Sequence, residues 1–307
     1  EDYKVKTKQL YANVQSVSAW GGEDNDVPFY GRVYISILPT SGSNLTESTK
    51  SRIVTELKKF SVASVTPVIV DPEITNIILR SSIKFDQSGT TKVADTIKSD
   101  VITTITNYNA NTLQSFDSMF RHSKVIGLID DTDESILSNV TTVQLRKSFT
   151  PTLGSSQKYS VAFSNALYNP HSGHAMAGGG ILSSSGFKID GNTTDVFFLD
   201  DDGNGNVRRY KMDGSARSYA NNTQGTIDYS SGLVEVNSLN VSNIENIRGA
   251  ASTVIEITVK PNSNDIVPIR NQVLEIDVAN SSVTVEADTL VGGSANAGIG
   301  YTTTTSY

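Results

Sequence analysis

The spacing of apolar residues changes at Pro151, and this change constrains the fold more than any other feature of the sequence. Upstream, one run of apolar residues advances in steps of three or four, namely Val93, Ile97, Val101, Ile105 and Tyr108. This is the period of an amphipathic helix. Downstream, Gly, Asn, Ser and Asp become frequent, and short apolar runs recur at the roughly 8–12-residue spacing of an all-β fold. We therefore predict a multi-domain chain with an α+β N-terminal half, a sheet covered by helices, followed by a mainly-β half.

The predicted elements follow this division. Asn44 and Glu47 have the spacing of a capping box, in which a side chain and a carboxylate three residues later bond the first turn of a helix. The elements expected in the first half are a strand within 1–18, strand 33–38, helix 45–60, strands 65–70 and 73–85, helix 91–108, short helix 124–130 and strand 140–147. Those expected afterwards are strands 161–163, 186–189, 196–199, 207–212, 226–229, 233–236 and 254–260, and then a hairpin of 273–278 and 282–286.

Three domains are predicted from these elements and from composition. The first, 1–150, is the α+β domain, the second, 151–270, is mainly β, and the third, 271–307, holds the terminal hairpin and an extended arm. Proline interrupts regular structure, so the region around Pro151 is the predicted hinge. The arm is small in its side chains, polar and low in complexity, a composition that does not bury a core.

Charge and composition argue against several function classes. The 307 residues include 25 Lys and Arg against 32 Asp and Glu, a net charge of −7, and no Cys. We therefore expect no nucleic-acid partner, because such binding needs clustered cations, and no disulfide or thiolate metal site. No apolar run reaches the ~20 residues that span a bilayer, so no membrane partner is expected.

An acidic, glycine-rich turn contains the best-looking ion site in the sequence. Asp200, Asp202 and Asn204 occupy positions 1, 3 and 5 of the calcium-loop pattern. Position 12, which supplies a bidentate Glu in that pattern, is Lys211, and no helix is predicted on either side. The preferred interpretation is a β-hairpin turn, in which Asp, Asn and Gly accept positive φ. A weak structural metal ion on these three residues is the alternative.

Catalytic chemistry has little material in this sequence, and we predict no enzyme and no cofactor. His171 and His174 could chelate zinc and support a metal-dependent hydrolase, but no Asp or Glu lies near them in the sequence to complete the site. His122 is interpreted as an ordinary histidine in the last turn of a helix. The acidic run 130–134 is interpreted as a helix N-terminus, where negative charge complements the helix dipole.

The only Trp introduces the most distinctive stretch of the chain. A loop with a glycine turn and acidic residues is predicted from Trp20 to Pro28, and it begins WGGEDN. The strand 33–38 follows within the stretch YGRVYISILP of residues 30–39. This order resembles the signature of the baseplate J-like proteins of contractile-tailed phages, and within them the C-terminal portion of the T4-type wedge ring proteins. The resemblance covers about residues 1–150.

The resemblance implies a structural protein of the virion, located in the tail baseplate and assembled in the host cytoplasm. It implies self-association, as a dimer within a ring around the tail hub, contacts with other baseplate wedge proteins, and rearrangement when the tail sheath contracts. Trp20, Glu23 and Asp24 are candidates for an interaction surface. Three apolar residues of the β half, expected to be exposed, are further candidates: Phe197, Phe198 and Tyr210.

A glycan- or receptor-binding module of the tail or surface is the alternative function. The β half would suit such a module, and four tyrosines could stack on sugar rings: Tyr168, Tyr210, Tyr219 and Tyr229. The presence of only one Trp weakens this interpretation, since sugar sites depend on aromatic faces. A scaffold is favoured because no catalytic constellation stands out.

Overall fold

The computed structural model of the chain describes residues 2–25, 27–42, 44–61, 64–169 and 179–288. The helices are α1 (Asp2–Leu10), α2 (Glu47–Lys58), α3 (Ala94–Tyr108) and α4 (His122–Asp130). The strands are β1 (Val14–Gly21), β2 (Arg32–Pro39), β3 (Thr66–Val70), β4 (Glu73–Phe85), β5 (Ile136–Phe149), β6 (Ser156–Ala162), β7 (Ser183–Ser184), β8 (Phe187–Ile189), β9 (Asn192–Asp201), β10 (Asn206–Asp213), β11 (Ala216–Asp228), β12 (Leu233–Ile244), β13 (Ile255–Val259), β14 (Gln272–Ile276) and β15 (Ser282–Ala287). The described part of the fold is therefore mostly β, and none of its helices is long and apolar enough to cross a membrane.

The chain divides into two compact units. Among the described residues, unit 1 comprises those up to 77, 112–120 and 144–275, and unit 2 comprises 78–111, 121–143 and those from 276 onward. Pro151 is buried and lies inside unit 1, near the point at residue 144 where the chain enters that unit. The hinge predicted for the region around Pro151 stays a prediction. The predicted domain boundaries near 150 and 270 follow composition, and they stay a prediction.

Unit 1 begins with a three-stranded sheet covered by two helices. Strand β2 lies in the middle, antiparallel to β1 and parallel to β3. One face of this sheet packs on α1 and α2, and its core consists of Val17, Ile35, Ile37, Leu45, Ile53 and Leu57. Helix α2 starts after Thr46, whose hydroxyl accepts the Thr49 N–H at 3.3 Å, and not after the predicted cap Asn44.

The β half of unit 1 is built from antiparallel pairs. Strands β9, β10, β11 and β12 pair in chain order, and β12 also pairs with β6 and β8. The β9–β10 turn contains Gly203 and Gly205 at φ of 79° and 97°, a conformation that glycine adopts without strain. The short strands predicted for this half are confirmed, although most extend further than the apolar runs that revealed them.

Unit 2 combines strand pairs with helices. Residues 80–85 of β4 pair in parallel with β15. Helix α3 contacts both β15 and α4. The helices turn a regularly spaced apolar face inward, with buried residues Ile97, Val101, Ile105, Val125 and Ile129. The sheet-and-helix arrangement predicted for the first half is thus present here and in the β1–β3 sheet.

Several predicted local structures are wrong. Residues 2–10 form a helix and not a strand: Tyr3, the buried Thr7 and Leu10 follow helical spacing, and Tyr3 and Leu10 pack against the core of the β1–β3 sheet. His122 is the first residue of α4 and does not lie in its last turn. The acidic run 130–134 begins at the last residue of that helix and leads into β5, so it does not form a helix N-terminus. The Asp133 carboxylate accepts the Ser135 N–H at 3.0 Å.

The predicted terminal hairpin is also wrong. Strands β14 and β15 do not pair with each other, since β14 lies beside β4 in its sheet and β15 pairs in parallel with β4. The Asp277 carboxylate accepts the Asn280 N–H at 3.1 Å and shapes the turn between them. Sequence alternation identified both strands, but it carries no information on which neighbour a strand takes.

Candidate interaction site

The indole of Trp20 is fixed by two contacts within unit 1. Trp20 of β1 stands opposite Tyr34 of β2, and their rings stack with centroids 5.8 Å apart at 17°. The indole N–H donates to the Asn25 Oδ1 at 2.8 Å. A ring held on one side and at its polar edge loses little freedom on binding, as in preorganised contact surfaces.

Trp20 belongs to the face of the β1–β3 sheet that turns away from the helices. Register places Trp20, Tyr34 and Val68 side by side on this face. Further along it, Leu38 is covered by Phe116 and Val273. The Trp20 end is an open cleft of about 360 Å³, lined by Trp20, Asn25, Val27, Phe29, Tyr34, Val70, Arg270 and Asn271.

The loop beside the cleft projects apolar side chains into solvent. It is closed by a bond from the Phe29 N–H to the Gly22 carbonyl at 2.8 Å. A Cβ at Gly22 would overlap the Phe29 carbonyl, so only glycine permits this approach. Val27 is 67% and Tyr30 is 83% exposed. Such a cluster on a folded surface is typical of contact sites.

The acidic pair Glu23 and Asp24 lies in the 3-10 turn at the start of this loop, with both residues exposed. The structure thus brings Trp20, Glu23 and Asp24 together at one end of the sheet. Val27, Phe29 and Tyr30 were not among the residues predicted for an interaction surface. Their signal was present, since these three large apolar residues fall within four positions around Pro28.

In a second cluster, in the β half, the charged side chains pair with one another. Asp200 is fully buried at the end of β9. Arg208 donates to both of its carboxylate oxygens, at 2.9 and 3.2 Å, Arg217 donates at 2.6 Å and the Tyr219 hydroxyl at 2.8 Å. Burial, followed by the bond to this carboxylate, raises the pKa of Tyr219. We call these four residues the Asp200 cluster; they satisfy a charge that would otherwise be costly to bury.

Asp201, the next residue of β9, is a second buried carboxylate that accepts hydrogen bonds. It is fully buried, and its carboxylate accepts the Leu182 N–H at 2.8 Å and the Tyr229 hydroxyl at 2.5 Å. Burial and this bond raise the pKa of Tyr229. The Gly180 N–H bonds the Asp201 carbonyl at 2.9 Å, which holds the segment entering β7 against β9.

The predicted exposure of three aromatic candidates is wrong. Phe197 is only 3% and Tyr210 only 7% exposed. Phe198 stacks on Tyr210 with centroids 5.7 Å apart, and the Arg217 guanidinium lies 4.6 Å from the Tyr210 ring. These rings are therefore occupied by contacts within the β half. Alternation along β9 and β10 could not show that both faces of this region are covered.

The ion-site candidates do not share one coordination geometry. Asp200 is occupied by the arginines of its cluster. Asp202 accepts the backbone N–H groups of Asn204 and Asn206 at 2.8 and 3.0 Å, and its second oxygen accepts the Asn206 amide at 2.7 Å. This is the turn chemistry of the preferred hairpin interpretation. No group of three or more acidic or histidine side chains suited to a metal occurs among the described residues.

The remaining predicted site residues are three histidines and four tyrosines. His171 and His174 lie outside the described residues. The His122 imidazole bonds the Thr141 carbonyl at 2.8 Å. Of the tyrosines predicted as sugar platforms, Tyr168 is exposed but has the Lys260 ammonium 4.3 Å from its ring. Tyr210, Tyr219 and Tyr229 are engaged around Asp200 and Asp201, so the alternative function loses its main support.

The first half of the chain is similar to known proteins of the baseplate. Residues 1–70 match the family of the baseplate structural protein gp6, C-terminal domain I, and residues 73–148 match C-terminal domain III of that protein. The first half of the chain is therefore similar to a structural protein of the baseplate.

One relative is the baseplate wedge protein gp6 of Enterobacteria phage T4. It is 26% identical over 145 residues, which cover 47% of this chain and 21% of the relative. The chain therefore spans only 21% of the relative's length in this match. Similarity to T4-type wedge proteins is thus confirmed, and the predicted location in the tail baseplate is supported. Membership of the baseplate J-like family stays a prediction.

Proposed function

We propose that this protein is a structural component of a phage baseplate wedge, which assembles with other wedge proteins and self-associates into a ring around the tail hub. The observation that carries the proposal is the pair of adjoining family matches over residues 1–148. The matched families are named as structural proteins, in accord with the predicted absence of enzyme activity. The ring rearranges when the sheath contracts.

The loop beside the Trp20 cleft supports self-association. Val27 and Tyr30 are the most exposed large apolar residues of the described chain, and the exposed Glu23 and Asp24 add polar contacts at the same end of the sheet. Contact surfaces combine such apolar centres with polar rims. We therefore place a homotypic contact at this loop.

The solution mass of the chain, measured by light scattering over a concentration series, tests self-association. A dimer or larger closed oligomer is expected, and Tyr30→Ser should shift dissociation to at least tenfold higher concentration. Met212→Ser, at a 47% exposed residue of the β half, is the matched control and should leave the mass unchanged. A strict monomer at all concentrations would contradict the proposed self-association.

Rearrangement is tested in intact tails through the absence of native cysteine. A Val27→Cys chain assembled into tails should react with a maleimide at different rates before and after sheath contraction. Ser88→Cys, on an exposed turn, controls for general access of the reagent. Equal relative rates in both states would contradict a rearrangement at this loop.

A further inference from the structure

The outer edge of β3 offers unpaired backbone groups next to the Trp20 cleft. Strand β3 ends the three-stranded sheet, and the described residues place no strand on its outer side. The Thr66 N–H donates to the Gly31 carbonyl at 2.9 Å, so the backbone N–H and C=O groups of Thr66, Val68 and Val70 point towards β2. The backbone groups of the residues between them point away from the sheet. Pro67 has no N–H, which leaves the Pro67 carbonyl and both backbone groups of Ile69 as the edge.

The cleft extends across the sheet and reaches this edge at Val70. Val70 of β3 lines it together with Trp20, Phe29 and Tyr34. In contrast, the side chain of Ile69 packs against the helix-covered core. A strand added outside β3 would therefore present every second side chain to the cleft face, because side chains alternate along a strand. This combination of strand edge and apolar pocket is the geometry of β-augmentation.

Two amides of the cleft retain hydrogen-bonding capacity. The oxygen of Asn25 is taken by the Trp20 indole, and the nitrogen of Asn271 donates to the Asp71 carbonyl at 2.9 Å. Within the described part of the chain, the Asn25 Nδ2 and the Asn271 Oδ1 make no further bond. The cleft thus holds one donor and one acceptor, which match the groups of a peptide.

The positive charge of Arg32 beside the cleft favours peptides that carry a carboxylate. Arg32 lies on the same face of β2 as Tyr34, and its guanidinium is 5.2 Å from the Phe29 ring. No carboxylate pairs with Arg32 among the residues that the structure describes. An exposed cation on an apolar surface favours a partner carboxylate, which a guanidinium binds with two parallel bonds.

We propose that the β3 edge and the Trp20 cleft bind an extended segment of a partner protein. The segment adds as a fourth strand, bonds Ile69, inserts one apolar side chain into the cleft and places a carboxylate at Arg32. This contact differs from the homotypic contact at the loop, and it does not depend on ring formation.

The test uses a synthetic eight-residue peptide of alternating Thr and Val that contains one Phe and one Asp. Because the chain has a single Trp, the emission of Trp20 reports binding directly. A saturable change in emission is expected, together with at least tenfold slower hydrogen exchange of the Ile69 amide by NMR. A matched peptide with Lys in place of Asp should bind at least tenfold more weakly.

A charge reversal separates specific from general effects. Arg32→Glu should invert the preference, so that the Lys peptide binds better than the Asp peptide. Arg52→Glu, at an exposed residue of α2, is the control and should keep the original order. Light scattering on the same samples keeps this proposal distinct from self-association, since peptide binding should not change the oligomeric mass.

Three results would overturn the proposal. The first is no change in Trp20 emission with either peptide. The second is a change in emission without protection of Ile69, which would mean that no strand is added. The third is a response to mannose or galactose but not to peptide, which would make the cleft a sugar site.

Discussion

The Trp20 cleft and the Asp200 cluster contain the same residue types but differ in whether the fold completes their contacts. In each, an arginine lies over an aromatic ring: Arg208 is 4.1 Å from the Tyr219 ring, and Arg32 is 5.2 Å from the Phe29 ring. The cluster supplies its own carboxylate from a fully buried Asp200, whereas the described residues provide none for Arg32. The difference teaches that residue type alone does not define a contact site; what matters is whether the fold completes the interaction internally.

The largest expected effect comes from removal of the internal carboxylate. Asp200→Ala leaves Arg208 and Arg217 without their shared partner, and loss of one member of a buried ion pair costs about 3–5 kcal/mol. Urea unfolding should show this loss in the free energy of unfolding. Asp213→Ala, at the exposed end of β10, is the control and should stay within about 0.5 kcal/mol of the parent. Equal effects for the two variants would mean that the cluster is not a structural centre.

The next test removes one hydroxyl from each region. Tyr219→Phe deletes the bond to the Asp200 carboxylate and should cost about 1.5–3 kcal/mol, the range for hydrogen bonds to charged groups. Tyr30→Phe deletes an exposed hydroxyl and should leave the free energy of unfolding unchanged. If Tyr30→Phe proved the more destabilising of the two, the distinction between a closed and an open region would fail.

Gly22 controls the shape of the open region. Gly22→Ala should cost about 1–3 kcal/mol, because the new methyl overlaps the Phe29 carbonyl and the backbone must move. The emission of Trp20 should change as the loop shifts. Gly127→Ala is the control: its Cβ would meet no atom within 4 Å in α4, and it should stabilise the chain by about 0.5–1 kcal/mol. An unchanged melting curve for Gly22→Ala would contradict the close approach.

The smallest expected effect is a pH dependence at Asp228, an exposed carboxylate satisfied by neighbouring hydroxyls. Bonds from Ser231 and Ser230 lower its pKa to about 2, from an ordinary value of 3.8. The lowered pKa means that its contribution to stability is present above about pH 4 and is lost as the pH falls towards 2. The urea midpoint of Asp228→Asn should therefore change less between pH 4 and pH 2 than that of the parent. Parallel curves for the two proteins would argue against these bonds.

Sequence reasoning succeeded where structure is local. Helix α3 and strands β2 and β4 follow from spacing and flanking turn residues, and Trp20, Glu23 and Asp24 do share one end of a sheet. It failed where partners are distant in sequence. Arg217 and Tyr219 meet Asp200 from another strand, and no local pattern announces such a pairing. Phe197 and Tyr210 were expected at the surface for the same reason. The alternation of residues along a strand does not show whether another layer of the protein covers that strand.

The interleaving of the chain between its two units bears on any shortened form of the protein. The family matches end at residue 148, yet unit 1 also needs residues 144–275. Without them, Leu38 and Phe116 would lose the cover of Val273, and the buried Thr75 would lose its bond to Gln272. A nonsense codon or a protease cut at the end of the recognisable region would therefore yield a product with an open core and a tendency to aggregate. Residues beyond 148 thus complete the core of the region that the family models match.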